Sequence, residues 1–142
     1  MEYRQGRHVV TLLHVHLVFV TRYRRGHFDA DAIARLRESF TKVAGDFDAR
    51  LVECDGEADY VHLLVEYPPT VTLSKLINSL KGVGARLLLR DRADIRRLCP
   101  KGLWSPSYFA ASCGGAPLDI IKDYVRSQRT PTAENGPYPS PT

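Results

Sequence analysis

The segment that decides the fold is RLVECDGEADYVHLLVEYPP, residues 50–69. Its two apolar runs flank a polar stretch that contains Asp55-Gly56, a dipeptide that favours a hairpin turn. Pro68-Pro69 ends the second run, because proline cannot donate a hydrogen bond to a β-ladder. The segment therefore predicts a β-hairpin whose turn lies at Asp55-Gly56.

The second strand of this hairpin carries polar side chains on one face. Successive side chains of a strand point to opposite faces, so Tyr60 and His62 share a face. The apolar residues Val61, Leu63 and Val65 point to the other face. A metal site here would use two imidazoles, whereas this strand places a phenol beside a single imidazole. The strand alone leaves a metal site, an altered metal site and a plain strand open.

Other segments show equally regular patterns. HVVTLLHVHLVFVT, residues 8–21, is apolar in both alternating sets, which is typical of a central strand covered on both faces. Helices are predicted where apolar residues recur at three- and four-residue spacing. The further elements are a helix from Asp29 or Asp31 to about Asp48, a second helix from Thr72 to about Arg90, an edge strand at 103–112, and a last helix that follows Gly114-Gly115 and ends near Gln128.

The order of these elements is strand, helix, strand, strand, helix, strand, helix. It predicts an α+β fold, a ferredoxin-like or RRM-like four-stranded antiparallel sheet with helices, plus an extra C-terminal helix. Residues 1–130 are predicted to form one domain. Residues 131–142 hold four prolines and little to bury, which predicts a flexible tail.

Composition limits the class of protein. The chain has 142 residues and a net charge of +4, which favours an anionic partner. Cys54, Cys99 and Cys113 are odd in number and form no CxxC pair, so we expect a reducing cytoplasm. The apolar runs are too short to span a bilayer, and no membrane role is expected.

Basic residues cluster on two predicted elements. Three lie in the turn after the first strand, and three lie on the second helix opposite its apolar stripe. We expect these side chains to neutralise phosphates without specifying sequence, although a solvated helix face has the same pattern. They are Arg22, Arg24 and Arg25 in the turn, and Lys75, Arg86 and Arg90 on the helix.

The last helix contains IIKDYVRSQ, residues 120–128. Tyr124 and Gln128 are four residues apart and share a helix face, at the border of its apolar stripe. Taken alone, this position is typical of a packing tyrosine whose hydroxyl reaches water.

Four blocks of the chain, taken together, match a known family: HLVFVTRYRR, DYVHLLVEYPPTVTLSKLINSLKGV, LWSPSYFAASCGGAPL and YVRSQ. In their order and spacing they resemble the single-tyrosine HUH transposases of the insertion sequence 200/605 group, from about residue 8 to 130. The resemblance implies a dimeric enzyme of the bacterial or archaeal cytoplasm, associated with the nucleoid when it is bound to DNA. Such an enzyme cleaves and rejoins single-stranded DNA beside hairpins, through a 5′-phosphotyrosine.

The resemblance also implies roles for individual residues. Tyr124 would be the nucleophile, and His62 and Gln128 would be ligands of Mg²⁺ or Mn²⁺. The active site would be shared between the two chains of a homodimer, the tyrosine helix of one chain completing the metal site of the other.

Tyr60 departs from the family pattern, because it occupies the position of the first histidine of the HUH motif. A neutral phenol, whose reference pKa is about 10, is a poor metal ligand at pH 7. Three explanations stay open: the change impairs the enzyme, the change is tolerated because His62, Gln128, water and DNA hold the metal, or His14 or His16 replaces the missing ligand. The HVH sequence at 14–16 also fits a hydrogen-bonded histidine pair in a covered strand.

Two other functions fit parts of the pattern. A domesticated or inactive relative would bind DNA hairpins without cutting them, and Tyr60 favours such a protein. An RNA-binding module shares the fold, but YVHLLVEYPP lacks the glycine-spaced aromatic pattern on which such domains stack bases. A nuclease with a carboxylate triad is disfavoured, because Asp55, Glu57 and Asp59 cluster in one predicted turn.

Overall fold

The computed structural model of the chain describes residues 3–6, 10–112 and 124–128. Within them lie six strands, three helices, a single 3₁₀ turn at Arg22–Arg24 and a helical segment at 124–127. The elements are β1 (Arg4–Gln5), β2 (Val10–Thr11), β3 (His14–Val20), α1 (Ala30–Asp46), β4 (Arg50–Glu57), β5 (Tyr60–Glu66), α2 (Leu73–Asp91), α3 (Ala93–Leu98) and β6 (Phe109–Ser112).

The main sheet has four antiparallel strands in the order β4-β5-β3-β6, and β1 pairs with β2 separately. The predicted ferredoxin-like sheet is therefore confirmed. β3 lies between β5 and β6, as expected of a strand that is apolar on both faces. β6 is an edge strand, as predicted, but it begins only at Phe109.

The helices α1 and α2 cover one face of this sheet. Side chains from β3, β5, α1 and α2 form one continuous core against that face. The largest fully buried members include Phe19, Leu63, Leu36, Phe40, Leu76 and Leu80. A second, smaller cluster occupies the opposite face, where Val18 and Val20 pack with Val125. Both faces of the sheet therefore carry packed side chains, and the polar residues of β5 lie on the face away from α1 and α2.

The predicted hairpin forms, but the predicted position of its turn was wrong. Asp55 and Gly56 lie within β4 and pair with His62 and Val61, and the turn is at Ala58-Asp59. A Cβ atom at position 56 would lie 2.5 Å from the carbonyl oxygen of Tyr60. The glycine therefore permits a close approach of two strands rather than a turn.

The boundaries of α1 and α2 agree closely with the boundaries predicted from the sequence. Asp29 caps α1 by accepting a hydrogen bond from the Ala32 amide at 2.8 Å, which confirms the predicted start. α2 begins and ends one residue from the predicted bounds. The sequence interpretation missed α3 and the β1–β2 pair.

Part of the predicted C-terminal region lies outside the described residues. This part includes Cys113, Gly114-Gly115, the first turns of the last helix and the tail at 131–142. Among the described helices, none has a stretch apolar and long enough to cross a bilayer.

Two glycines of α2 test how tightly it packs on α1. A Cβ atom at Gly84 would meet the Phe40 ring at 2.8 Å, whereas a Cβ atom at Gly82 would meet nothing within 4 Å. We expect Gly84→Ala to lower the free energy of unfolding by roughly 1–3 kcal/mol, because Phe40 is fully buried and cannot move aside.

Gly82→Ala is the matched control on the same helix. It should raise the free energy of unfolding by about 0.5–1 kcal/mol, because alanine loses less backbone entropy in a helix. Urea denaturation measures both values. Equal effects of the two substitutions would contradict the packing of α2 on α1.

Candidate functional site

The register between β3 and β5 brings polar side chains together on the sheet face away from α1 and α2. His62 lies opposite Val18, and Tyr60 lies opposite Val20. His16 lies opposite Leu64 and is thus the diagonal neighbour of His62 on the same face. Of the two histidines considered as a replacement ligand, His16 therefore lies beside His62.

His16 and His62 are in direct contact. Nδ1 of His16 lies 2.9 Å from Nε2 of His62, and the two rings are nearly parallel, with an interplanar angle of 9°. The ring centroids are 5.1 Å apart. This is close to the length of the N···N contact plus the distance from each centroid to its own nitrogen, so the rings meet edge to edge rather than face to face. The two nitrogens therefore point at each other and share one proton as an N–H···N hydrogen bond.

Burial of His62 favours the neutral form of its imidazole ring. Desolvation first, and the neighbouring His16 second, hold the pKa of His62 below its ordinary value. A neutral imidazole has a lone pair for a hydrogen bond or a metal ion. His62 is thus suited to accept or coordinate at neutral pH.

Tyr60 is half-buried and unsuited to metal binding. Its pKa is raised mainly by desolvation and further by the carboxylates of Glu57 and Asp59. The phenol therefore stays protonated at neutral pH and offers only a weak oxygen donor. Its ring packs instead against the cluster of Val18, Val20 and Val125.

His14 does not join the histidine contact. It lies opposite Glu66, whose carboxylate accepts two hydrogen bonds from Arg4 at 2.6 and 2.7 Å. His14 is 4% exposed, and neither of its ring nitrogens has a hydrogen-bond partner. The predicted hydrogen-bonded histidine pair is therefore wrong for His14, while His16 bonds His62.

Tyr124 and Gln128 meet the segment that precedes β6. The Tyr124 hydroxyl lies 2.9 Å from Oγ of Ser107, and its ring packs on Phe109 at a centroid distance of 5.4 Å. Oε1 of Gln128 accepts hydrogen bonds from Ser105 and Ser107, each at 3.2 Å. Tyr124 lies on the sheet face that carries His62, because its ring packs against the cluster of Val18, Val20 and Val125.

Sequence reasoning did not identify Ser105 and Ser107. Their hydroxyls hold the two C-terminal residues that the family resemblance had singled out. The available signal was Ser105-Pro106-Ser107 directly after Trp104, where proline breaks the predicted strand. Only the tertiary contact shows what the serines do.

Lys81 of α2 fixes this serine segment from the other side. Its ammonium group donates hydrogen bonds to the carbonyl oxygens of Ser105 and Ser107 at 3.0 and 3.2 Å. Burial lowers the pKa of Lys81. The Trp104 indole N–H donates to the backbone oxygen of Lys81 at 2.9 Å. The helix layer thus positions the segment that contacts Tyr124 and Gln128.

Metal-binding capacity in the described residues is limited to a few donors. They contain no group of three or more His, Cys, Asp and Glu side chains able to hold an ion. The His16–His62 pair supplies two imidazole nitrogens in contact, whereas the amide oxygen of Gln128 is buried and accepts hydrogen bonds from Ser105 and Ser107. In this arrangement the described residues therefore offer two adjacent imidazole nitrogens, and Gln128 could bind an ion only after its oxygen leaves the two serines.

The basic residues predicted to bind DNA separate into two groups. The turn at Arg22–Arg24 adjoins the Tyr60 end of β5, since Arg24 pairs with Asp59 at 3.3 Å. Arg22 and Arg25 line a cleft of about 240 Å³ together with Lys101. In contrast, the basic residues predicted on α2 are exposed on the helix layer, away from the histidine face. These are Lys75, Arg86 and Arg90, the last paired with Asp91.

The fold and this face agree with one protein family. The model of the IS200-like transposase family matches residues 9–128. The chain belongs to this family, and the resemblance to the IS200/605 group is confirmed. The match extends through both Tyr124 and Gln128.

Individual relatives agree with the family assignment. The transposase for insertion sequence element IS200 of Salmonella typhimurium is 26% identical over 114 residues, covering 80% of this chain and 74% of that protein. The ISDra2 transposase TnpA of Deinococcus radiodurans is 25% identical over 129 residues, covering 90% and 92%.

Solved structures agree with the fold. A transposase crystal structure from Deinococcus radiodurans superposes with a TM-score of 0.80 at 25% identity, over 89% of this chain and 98% of that one. A REP-associated tyrosine transposase bound to a REP hairpin superposes with a TM-score of 0.53 at 15% identity, over 89% and 70%. The second similarity concerns the fold alone.

Lys81→Met tests whether α2 holds the serine segment. The change removes two charge-assisted hydrogen bonds, each typically worth about 1.5–3 kcal/mol. We expect amide hydrogen exchange at Ser105, whose N–H bonds the Val20 carbonyl, to accelerate by roughly tenfold or more. Exchange is measured by NMR.

The Trp104 indole proton is an internal control. Its acceptor is the backbone oxygen of residue 81, which the substitution keeps. Its protection should change little. Equal acceleration at Ser105 and Trp104, or none at either, would contradict the local role of the Lys81 ammonium group.

Proposed function

We propose that the chain cleaves and rejoins single-stranded DNA at insertion-sequence ends, through a 5′-phosphotyrosine formed on Tyr124. The observation that carries the proposal is the position of Tyr124. Its hydroxyl contacts Ser107 on the same sheet face as the His16–His62 pair. A tyrosine hydroxyl on the same sheet face as two imidazoles, one helical turn from an amide side chain, suits phosphoryl transfer better than simple packing.

The bonds that form and break involve only the tyrosine and the DNA. The Tyr124 oxygen attacks the scissile phosphorus, an O–P bond forms, and the bond to the 3′ oxygen breaks. The phenol loses its proton, and the departing 3′ oxygen takes one. The energy of the broken ester is kept in the phosphotyrosine, so rejoining needs no ATP.

The chain's own residues orient this reaction. Ser107 is placed to accept the phenol proton in a hydrogen bond and to direct the tyrosine oxygen. His62 and Gln128 are the candidate ligands of Mg²⁺ or Mn²⁺. When bound, such an ion would withdraw charge from the non-bridging phosphate oxygens.

Hairpin DNA is the proposed partner. One structural neighbour is a tyrosine transposase bound to a hairpin. In this chain Arg22, Arg24 and Arg25 adjoin the Tyr60 end of the site, so they are the better candidates for contacts near the cleaved strand. Lys75, Arg86 and Arg90 would contact phosphates only where the duplex wraps around the helix layer. We place this activity in the bacterial or archaeal cytoplasm, at the nucleoid when DNA is bound.

A homodimer with shared sites is also proposed. In the single chain the Tyr124 segment packs on its own sheet face, and the connection at 113–123 lies outside the described residues. The same face can receive the corresponding segment of a second copy. Exchange of this segment between two copies would give a two-fold dimer with two composite sites.

One alternative has support in the structure. A relative that binds hairpins without cutting them fits the protonated phenol of Tyr60 at the position of the first HUH histidine. It would keep the basic turn and the fold but lose covalent capture of DNA.

Tyr124→Phe tests the nucleophile. The substitution removes one hydroxyl, so covalent capture should vanish while hairpin affinity changes by less than about threefold. The measurement incubates the protein with a hairpin-bearing single strand and Mn²⁺, then looks for an adduct that survives denaturation. An adduct formed by Tyr124→Phe would reject the assignment, and hairpin binding by the unmodified protein without any adduct would favour the non-cutting relative.

Subunit mixing tests the shared site. Tyr124→Phe and His62→Ala are each expected to be inactive, and their heterodimer would contain one intact composite site. After statistical exchange of subunits, cleavage should recover to about a quarter of the unmodified level. A mixture that stays inactive would show that each site is built within one chain. The control gives the two variants different affinity tags, and co-purification of both tags after mixing establishes that exchange occurs.

A further inference from the structure

The family resemblance implies a metal site with two imidazoles, and Tyr60 occupies the position of one of them. The described part of the chain holds one nearby replacement on the same face, since His16 contacts His62. Both histidines are half-buried, so a small ion can reach them from the open side of the face. The donor set therefore fits a metal ion if His16 takes the place of the missing histidine.

The spacing of the two nitrogens supports this replacement. Metal–nitrogen bonds of about 2.1 Å at a right angle place two ligand nitrogens about 3.0 Å apart. The observed separation of Nδ1 of His16 and Nε2 of His62 is 2.9 Å. The two nitrogens point at each other in the metal-free protein, so both rings must turn before their lone pairs converge on one ion, and the nitrogens would end about as far apart as they are now.

We propose that His16 and His62 together form the two-imidazole half of a divalent cation site, with His16 replacing the histidine that Tyr60 displaced. The proposal rests on the transposase function described above and assigns a ligand that the family motif does not contain. Imidazole nitrogen is a softer donor than oxygen, so the pair favours Mn²⁺ over Mg²⁺.

The proton balance of metal binding is simple. In the metal-free protein one proton lies between Nδ1 of His16 and Nε2 of His62. Coordination by both atoms requires the shared proton to move to the other nitrogen of the ring that carries it, while the second ring already carries its proton on its other nitrogen. The two rings together keep their two protons, and no proton is released.

His14 is the other histidine of β3 on this face, and the structure excludes it from the pair. It lies two residues before His16 in β3, opposite Glu66 at the end of β5, and its side chain is buried there. His14 and His16 therefore differ in position but share strand, face and residue type. His14→Ala is consequently a matched control for His16→Ala.

The test measures Mn²⁺ binding directly, with Mn²⁺ alone as the probe. Electron paramagnetic resonance gives the affinity from the free-ion signal. Pulsed measurements on protein labelled with ¹⁵N-histidine count the coordinated imidazoles. We expect two coordinated imidazoles in the unmodified protein and one in His16→Ala. Affinity should fall at least tenfold, because even residues behind the ligands typically contribute about 10- to 100-fold.

Two further variants guard against unfolding as the cause. His14→Ala should keep two coordinated imidazoles. Tyr60→His in the His16→Ala background should regain the second imidazole and most of the affinity, which a misfolded chain could not do. The proposal is overturned if the unmodified protein shows a single coordinated imidazole, or if His16→Ala binds Mn²⁺ as tightly as the unmodified protein does.

Covalent capture of hairpin DNA separates this proposal from the proposed function. Capture by a protein in which His16 is not coordinated would reject the metal pair and keep the transposase activity. Two coordinated imidazoles without any capture would keep the metal pair and reject the activity.

Discussion

Antiparallel pairing of β3 with β5, in the register that sets Val18 opposite His62, is the constraint on which the rest of the structure depends. This register sends Val15, Leu17 and Phe19 into the core under α1 and α2, and it sends His16 to the opposite face. A slip by one residue would turn apolar side chains outward and bury the histidines among them. The core and the site are therefore specified by the same pairing, and the free energy of core burial also holds the two imidazoles together.

The second support of the site comes from the edge of the sheet. Lys81 reaches from α2 to the serine segment, and the serines in turn contact Tyr124 and Gln128. The Tyr124 hydroxyl is thereby connected to the helix layer through hydrogen bonds rather than through apolar packing alone. Hydrogen bonds of this kind fix orientation, which phosphoryl transfer requires more than it requires affinity.

Local patterns in the sequence predicted the strands and helices well, but they did not predict the register between the strands. The cap at Asp29 and the apolar stripe of α2 depend on residues close in the chain, so their positions followed from spacing. The Asp55-Gly56 pair predicts the turn at that position, whereas the structure has the turn at Ala58-Asp59 and uses Gly56 for close contact with the Tyr60 carbonyl. Alternation could show that His16 and His62 share a face. It could not give the register between β3 and β5, and this register brings the two histidines, 46 residues apart in sequence, into contact.

The most direct test of the account is the scalar coupling across the hydrogen bond between the two imidazoles in the metal-free protein. NMR on a ¹⁵N-histidine-labelled chain detects a coupling between nitrogens that share a proton. The register predicts a resolved coupling between Nδ1 of His16 and Nε2 of His62. Absence of that coupling, together with cross-strand contacts that place His62 opposite a residue other than Val18, would contradict the account.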